Sequence, residues 1–572
     1  MDDAVIVAVP ALMLGGLLVY RLFTRLRLSL AKHPSLRGHA KWSRRLSKLV
    51  PYYEFDHAAF FAADGAPAQV ASKRRAGLNA LAAQAARDNP RSLACQSAVA
   101  DSISDVVFTS AHRVPFPFRR RLPDALKQGH MVEESAGVRV RDVDGNWRYD
   151  LSGSYGVNVF GYDFYKQCIE EGVAAARKLG PVLGPYHPLI VETVDAIKGI
   201  SGLHEVSFHM SGTEAVMQAV RLARYHTGRS HLVRFCGAYH GWWDGVQPGV
   251  GNQRRANDVY TLADVSDNTL RVLETRRDIA CVLVNPLQAL HPNADAPGDA
   301  TLLGSGRGAN FDRAAYTRWL QRLRDVCSRR NIVLIFDEVF TGFRLGYRGA
   351  QEYFGIQADM VTYGKSIGGG LPVGVLSGRR DLMQRFKEGQ PANISFARGT
   401  FNSHPYVIAS MHAFLKRIEQ PRYQVLYAEA DELWNERARQ LNNRLHSAGA
   451  PVSIANLQSV WTVLYKVPCR YNWMFQFYLR AQGLELSWVG SGRMIMSLDY
   501  SGEAFEEVAG RFVNAAQCMA ADGWWWQSPR LTHGRIKRQL IIEMLRARLP
   551  LPGKMPPGAC PDGLADDVER VR

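Results

Sequence analysis

The stretch from Ile332 to Gly374 limits the possible folds more than any other part of this 572-residue chain. It opens with an apolar, β-branched run, Ile332 to Phe336, whose length is typical of a buried strand. The run ends at Asp337, and ligands of open α/β sheets bind at the carboxyl ends of the strands. A second short apolar piece, 360–363, is followed by Lys365 and then by a run of glycines. The pattern therefore predicts an acid and a lysine at two strand ends.

A lysine in this position is not expected to be an ordinary solvated charge. In an apolar pocket the pKa of its amine would fall, and the neutral amine could attack a carbonyl group. An acid and a lysine at strand ends together indicate a Schiff-base cofactor whose ring nitrogen needs an anionic partner.

The segments FDEVFTGFR and YGKSIGGGLPVG resemble the core signature of class III, fold type I, pyridoxal-phosphate aminotransferases. The resemblance is closest to the glutamate-1-semialdehyde aminomutase branch and to the aminotransferase modules of polyketide and lipopeptide assembly lines. It implies an α/β fold with a large, mainly parallel α/β/α sheet domain and a small α+β domain. It also implies that Lys365 carries pyridoxal 5'-phosphate as a Schiff base and that Asp337 keeps the ring nitrogen protonated, so both are catalytic candidates.

A phosphate site is predicted where the strand VSFH runs through Ser211, Gly212 and Thr213 into an apolar-striped helix. Free backbone N–H groups and the positive end of a helix dipole attract an anion at such a point. Ser211 and Thr213 can also act as helix caps. The likeness of SGTEA to the family motif implies that Gly212 and Thr213 bind the cofactor phosphate.

The segment YHG contributes two further cofactor candidates, Tyr239 and His240. The resemblance implies that Tyr239 stacks on the pyridine ring, while Val339 packs on the opposite face. His240 is expected to be a packed neighbour rather than a catalytic base, since histidine has several common roles besides catalysis.

The segment RGTFN resembles a family element whose threonine reaches the phosphate in the neighbouring subunit. Thr400 therefore implies a homodimer with shared active sites.

Three residues are candidates for substrate contact. Asn285 follows an apolar strand where the family has a glutamate, which in several members pairs with an arginine that binds the donor carboxylate; asparagine cannot form this ion pair. Tyr155 either lies near the substrate or simply packs. Arg493 either faces the substrate or is an exposed arginine at a strand edge.

The N-terminal region combines an uncharged run, Ala4 to Tyr20, with nine Lys/Arg and no acid between Arg21 and Tyr53. The net charge of +17 would also suit nucleic acid, but an apolar segment beside a basic cluster favours a membrane. We expect a single N-terminal transmembrane helix with the catalytic part in the cytoplasm. The alternative is an amphipathic or buried N-terminal helix.

The C-terminal tail contains Trp524-Trp525-Trp526 and a basic segment in which Ile536, Leu540 and Met544 share one helical face. This face predicts an interfacial membrane helix, a partner-docking helix or an ordinary packed helix. The eight cysteines show no metal-ligand or paired spacing, so no metal site is expected and the compartment is a reducing one.

Composition shifts and motifs predict a series of segments. They are an anchor (1–23), a basic helical region (24–105), the N-terminal part of the small domain (106–165), the large cofactor domain (166–400), the C-terminal small domain (401–515) and a Trp-rich, basic tail (516–572).

Three functional hypotheses follow. The first is an aminotransferase that moves an amino group from an amino acid such as glutamate or alanine to an amphipathic aldehyde, ketone or acyl-linked carbonyl, in lipid or secondary metabolite biosynthesis. The second is an intramolecular aminomutase of the glutamate-1-semialdehyde type. The third is a non-catalytic membrane-bound scaffold, which would not need Lys365 or Asp337. Family likeness alone does not identify the acceptor.

Overall fold

The structure is a computed structural model that describes residues 3–32, 45–112, 114–127, 131–247, 250–254, 257–290, 311–487 and 493–549. It divides into two compact units. The first comprises Met1–Ser47, Phe164–Ala296 and Asn310–Asp431, and the second includes Lys48–Asp163 and Glu432–Arg572.

Helices occur throughout the described ranges. In chain order they are α1 (Asp3–Leu30), α2 (His57–Ala62), α3 (Ala68–Asp88), α4 (Pro90–Val99), α5 (Ser104–His112), α6 (Asp124–Lys127), α7 (Tyr162–Ala176), α8 (Ile190–Ser201), α9 (Gly212–Thr227), α10 (Asp267–Thr275), α11 (Arg313–Arg330), α12 (Gly349–Phe354), α13 (Arg380–Met383), α14 (Pro405–Ile418), α15 (Pro421–Ser447), α16 (Phe475–Ala481), α17 (Gly502–Ala521) and α18 (His533–Arg548).

Strands begin after α6 and alternate with the later helices. In chain order they are β1 (Val132–Ala136), β2 (Arg139–Asp142), β3 (Trp147–Asp150), β4 (Glu205–His209), β5 (His231–Phe235), β6 (Val259–Leu262), β7 (Ile279–Val284), β8 (Val333–Asp337), β9 (Met360–Gly364), β10 (Gly374–Gly378), β11 (Phe386–Lys387), β12 (Gln390–Ile394), β13 (Val452–Leu457), β14 (Val460–Tyr465), β15 (Leu484–Glu485) and β16 (Arg493–Ile495).

A seven-stranded sheet in the order β4-β10-β9-β8-β7-β5-β6 forms the centre of the first unit. Strand β10 is antiparallel to both neighbours, and the pairs from β9 to β6 are parallel. Every residue of β7, β8, β9 and β10 is buried, as expected for strands covered on both faces. Helix α9 places its apolar stripe against this sheet, and the shared core includes Val216, Ala219, Val220, Cys281, Leu283 and Ile335.

The parallel pairing fixes which residues share one edge of the sheet. Asp337 ends β8, Lys365 directly follows β9, and Asn285 directly follows β7. Because parallel strands have their carboxyl ends at the same edge, the sheet brings these three positions to one side. The mainly parallel sheet confirms the predicted α/β architecture of the cofactor domain.

The second unit contains two smaller sheets, β1-β2-β3-β15 and β13-β14-β16. Its buried Arg470 donates to Asp64 Oδ1 at 2.7 Å and to Glu543 Oε2 at 2.8 Å, and Glu543 also accepts a hydrogen bond from the Tyr53 hydroxyl. Since Ile536 of α18 is buried as well, the last described helix packs on this unit. The structure therefore supports the interpretation of the basic segment 533–548 as an ordinary packed helix, and the rest of the predicted tail, 550–572, lies outside the described residues.

Helix α1 lies in the first unit, and its carboxyl end is packed. Thr24 and Ala31 are buried, and the Ala263 N–H donates to the Ala31 carbonyl at 2.8 Å. All residues from Leu12 to Phe23 are exposed. Within the described ranges, none of the helices has the length and apolar character needed to cross a bilayer, so the predicted transmembrane helix is not confirmed.

Candidate active site

Asp337 is the best-partnered acid at the carboxyl edge of the sheet. It is 3% exposed, and its Oδ2 lies 2.7 Å from Nδ1 of His240. Its Oδ1 accepts from the Val339 N–H at 3.2 Å and from the Thr362 hydroxyl at 3.3 Å. Partners on both oxygens fix the carboxylate in one orientation, as a preorganised electrostatic group requires.

His240 is buried and supports Asp337. Burial lowers the pKa of His240, and the contact with Asp337 opposes this effect without overcoming it. A neutral ring that contacts an acceptor through Nδ1 carries its proton there and donates it to Asp337. Among the described residues, Nε2 of His240 has no hydrogen-bond partner. The geometry makes His240 a positioning residue for Asp337.

Lys365 follows the last residue of β9 and adopts a left-handed backbone conformation, with φ of +50°. This conformation is uncommon for a residue other than glycine and is typical of functional sites. Its Nζ lies 4.6 Å from the centroid of the Phe340 ring. Phe340 is buried in the loop that follows β8, so an apolar ring lies beside the amine.

Gly212 brings the start of α9 into contact with the loop after β8. A Cβ atom at Gly212 would lie 2.6 Å from Cγ1 of Val339, so the close packing requires glycine. A Cβ at Gly364 would lie 3.1 Å from the same atom. The Ser211 side chain caps α9 by accepting from the Glu214 N–H. Gly212 therefore lies beside Val339 and the end of β9, and Ser211 lies against Gly374 at the start of β10.

Thr213 connects the start of α9 to the loop that carries Tyr239. A Cβ at Gly241 would lie 2.5 Å from Oγ1 of Thr213, which places this loop directly against the helix terminus. Tyr239 itself is exposed, and its pKa is raised by partial burial and by Asp337.

Asn285 is buried and holds the same loop. Its Nδ2 donates to the Tyr239 carbonyl at 3.2 Å, and its Oδ1 accepts from the Leu287 N–H at 3.1 Å. The asparagine thus uses both ends of its amide in local contacts.

Thr400 occupies an exposed turn of the first unit, and the two remaining substrate candidates belong to the second unit. Tyr155 has φ of +57° and is 48% exposed. Arg493 opens β16 opposite Thr462.

Sequence reasoning missed several residues of the site. Arg234, inside β5, donates to the Ala238 carbonyl at 2.6 Å and to the Val246 carbonyl, which clamps the loop carrying Tyr239. Thr362, which donates to Asp337, was missed as well. The available signal was a polar residue inside an otherwise apolar strand, in HLVRF and in MVTYG.

Glu338 was also missed as a site residue. It is buried next to Asp337 and accepts from the Ala350 N–H at 2.6 Å and the Gln351 N–H at 3.2 Å. Burial raises the pKa of Glu338 to about 8, although the two N–H groups oppose the shift.

Comparison with known proteins adds independent evidence. Residues 124–454, more than half of the chain, match the family described as aminotransferase class III. A glutamate-1-semialdehyde 2,1-aminomutase of Nitratidesulfovibrio vulgaris (strain DP4) is 34% identical over 337 residues, which cover 58% of this chain and 76% of that protein.

Solved structures show the same fold. A transaminase with PLP bound is 28% identical, with a TM-score of 0.58 over 69% of this chain and 92% of that one. A glutamate-1-semialdehyde aminomutase from Pseudomonas aeruginosa PAO1 is 18% identical, with a TM-score of 0.63 over 79% and 99% of the two chains. At that identity the second likeness shows the fold alone.

The described residues fit pyridoxal 5'-phosphate. Lys365 supplies a primary amine beside an apolar ring, and Asp337 supplies a buried carboxylate with fixed orientation. Gly212 is the first residue of α9, and the N-terminus of a helix offers backbone N–H groups and a positive dipole end to a phosphate. This fit and the match over more than half its length show that the chain belongs to the class III aminotransferases, a family of pyridoxal-phosphate-dependent enzymes.

Proposed function

We propose that the enzyme transfers an amino group from an amino acid to an aldehyde, ketone or acyl-linked carbonyl of an amphipathic molecule. This proposal rests on Asn285, whose side-chain amide makes its hydrogen bonds to the neighbouring backbone. Its amide is neutral and is held by Tyr239 and Leu287. The site therefore lacks, at this position, the acid that would pair with a carboxylate-binding arginine. A substrate without a second carboxylate suits such a site.

When bound, pyridoxal phosphate supplies an electron sink for a carbanion at the substrate Cα. Lys365 would hold the cofactor and then move the proton at that carbon. Asp337, oriented by His240, Val339 and Thr362, would hold the proton on the ring nitrogen. Gly212 and Thr213 at the start of α9 would bind the phosphate, and Tyr239 and Val339 would enclose the ring.

A homodimer with shared active sites forms part of the proposal. The first unit exposes large aromatic side chains close in sequence to the site residues, namely Tyr239, Trp242, Phe396 and Phe401. Exposed aromatic groups are enriched at protein interfaces. Thr400 lies beside Phe401 in the same exposed turn, where it would reach the phosphate site of a second subunit.

Attachment of α1 to a membrane, with the catalytic part in the cytoplasm, is also a proposal. It is supported by the exposure of Leu12 to Phe23 on all sides and by the nine basic residues between Arg21 and Tyr53. Basic residues beside an apolar segment are attracted to anionic lipid. Removal of residues 1–20 should shift the enzyme from the membrane fraction to the soluble fraction of cells. An unchanged distribution would contradict attachment through α1.

The test of transamination measures keto-acid release from the holoenzyme without an acceptor. With L-glutamate or L-alanine, an aminotransferase should release about one equivalent of keto acid per active site, because only the first half-reaction can proceed. Lys365→Ala should lower the rate roughly 10²–10⁴-fold, the range for a lost acid–base group. Lys198→Ala, on the surface of the same unit, is the control and should behave like the wild type.

The second candidate is an intramolecular aminomutase, which the name of the 34%-identical relative favours. It would isomerise glutamate-1-semialdehyde and release no keto acid from any donor. Turnover of that substrate without keto-acid release would replace the first candidate with the second. A scaffold without activity fits neither the family nor the partnered Asp337.

A further inference from the structure

Helix α18 packs on the second unit through one face and presents the other face to solvent. The packed face is the one whose apolar pattern is visible in the sequence: Ile536 is buried, and Leu540 and Met544 are half-buried. The solvent-facing side carries Ile541 and Leu545, each of which is 54% exposed. These two residues are four positions apart, so their side chains are neighbours on the helix surface.

Basic side chains surround this exposed apolar pair. Lys537 and Arg538 precede Ile541 by four and three positions, and Arg548 follows Leu545 by three. At these spacings the side chains lie beside one another on a helix. All three basic residues are exposed, so positive charge borders the apolar pair along the helix.

The charge of α18 is almost entirely positive on its solvent side. The helix contains five basic residues and one acid. That acid, Glu543, is half-buried and is bonded to Arg470. Within the described residues none of the five basic side chains forms an ion pair, so their charge is available to a partner.

A second segment with exposed apolar groups passes beside α18. The Tyr53 hydroxyl donates to Glu543 at 3.0 Å, which places the residues just before Tyr53 next to the helix. In this segment Leu49, Val50 and Tyr52 are exposed. Large apolar groups gathered on a surface, with basic residues around them, are typical of a membrane-binding site.

We propose that the α18 surface, formed by the exposed face of α18 and residues 49–52, binds a bilayer that contains anionic lipid. The apolar side chains enter the boundary between headgroups and acyl chains, and the basic side chains bind the lipid phosphates. Both kinds of exposed residue are then used. A nucleic acid would match the charge but would leave Ile541 and Leu545 against charged phosphates.

The chain itself offers a poorer occupant for the α18 surface. Residues 551–572 follow the helix directly and contain four acids and three basic residues. Their net charge of −1 does not match the five basic residues of α18, whereas an anionic bilayer supplies many negative charges.

The test measures co-sedimentation of the full-length holoenzyme with vesicles at fixed salt concentration. Vesicles of phosphatidylglycerol and phosphatidylcholine in equal parts should bind the wild type at least 10-fold more tightly than vesicles of phosphatidylcholine alone. The reason is that each basic residue near an anionic surface strengthens binding about 5-fold. The combined change Lys537→Gln, Arg538→Gln and Arg548→Gln should therefore weaken binding roughly 10²-fold. The pair Ile541→Ser and Leu545→Ser should weaken it roughly 10-fold, because two apolar side chains no longer enter the bilayer.

Two control variants lie elsewhere on the second unit. Arg439→Gln removes an exposed charge that is already paired with Glu436, and Val132→Ser removes an exposed apolar side chain of β1. Both should bind mixed vesicles like the wild type. All the substituted side chains of α18 are exposed, so the α18 variants should keep the thermal unfolding temperature of the wild type.

Three outcomes would overturn the proposal. They are equal binding of the wild type to mixed and neutral vesicles, unchanged binding in either α18 variant, and binding that appears only after removal of residues 551–572. The α18 variants retain α1, so a loss of binding in them is distinct from attachment through α1. The proposal goes beyond amino transfer, and vesicle binding needs no turnover, so failure of the transamination test leaves this result readable.

Discussion

The second unit buries two arginines in opposite circumstances. Arg470 donates to the carboxylates of Asp64 and Glu543, whereas Arg480 has no acceptor among the described residues. The acceptors of Arg470 come from near the start and the end of the unit, so this pair network holds its two ends together. A buried cation with protein acceptors stabilises the fold, whereas Arg480 bears the cost of burial without them.

The first unit contains buried charged side chains whose partners are neither a full set of opposite charges nor absent. Arg234 donates to two neutral carbonyls, and Asp337 is partnered by His240, Val339 and Thr362. Both positions support the cofactor site. The type of partner therefore separates two uses of a buried charge, namely stability and positioning.

The largest expected effect is on stability, from Arg470→Met. Removal of one partner from a buried ion pair leaves uncompensated charge and costs about 3–5 kcal/mol. Asp64 and Glu543 would both lose their cation. Arg480→Met should cause no comparable loss, because the Arg480 side chain makes no hydrogen bond to the described residues. Thermal unfolding of both variants measures the contrast, with Arg439→Met, an exposed arginine of the same unit, as the control. An equal loss in the Arg470 and Arg480 variants would contradict the prediction.

The second prediction concerns Asp337→Asn. The neutral amide keeps the size of the side chain but cannot hold a proton on the ring nitrogen. We expect kcat to fall roughly 10²–10³-fold, as when one preorganised electrostatic group is removed. Steady-state kinetics with Asp267→Asn, an exposed residue, as control would measure this. Retention of wild-type kcat would show that the partners of Asp337 serve stability alone.

Much of the first unit could be predicted because its signals are local. The apolar run before Asp337 and the piece before Lys365 are the strands β8 and β9, and the striped segment after Ser211 is α9. The order of parallel strands then places these motifs at one sheet edge. For these three segments the local sequence pattern and the three-dimensional fold specify the same structure.

The Arg470 network and the unpaired side chain of Arg480 could not be predicted. Arg470 binds residues from segments far away in sequence, and no pattern in the chain links Asp64 to Glu543. The absence of hydrogen-bond acceptors for Arg480 likewise depends on how distant segments, such as those of Arg148 and Tyr155, pack near it. Side-chain pairing between distant segments is a property of packing.

A smaller effect is expected from Arg234→Met. Methionine fills similar space but leaves the carbonyls of Ala238 and Val246 without this donor, which costs roughly 1–3 kcal/mol for each buried group that stays unsatisfied. The loop carrying Tyr239 should become less well fixed. We expect a higher dissociation constant for the cofactor, measured by titration of the apoenzyme, with a smaller change in kcat at saturation. Unchanged cofactor affinity would assign Arg234 to stability alone.

The last prediction concerns the pH dependence of stability that Glu338 creates. Glu338 is a buried acid that forms no ion pair with any of the described residues, but it can take up a proton, and burial raises its pKa from the ordinary 4.5 to about 8. Below pH 4.5 both folded and unfolded states are protonated. Between about 4.5 and 8 only the folded state keeps the proton, so stability falls as pH rises through this window. Glu338→Gln has no proton to lose and should flatten this part of the Tm–pH curve, whereas Glu274→Gln, a surface control, should not. A parallel curve for Glu338→Gln would mean that Glu338 stays charged, and that a buried charge can persist here on backbone N–H groups alone.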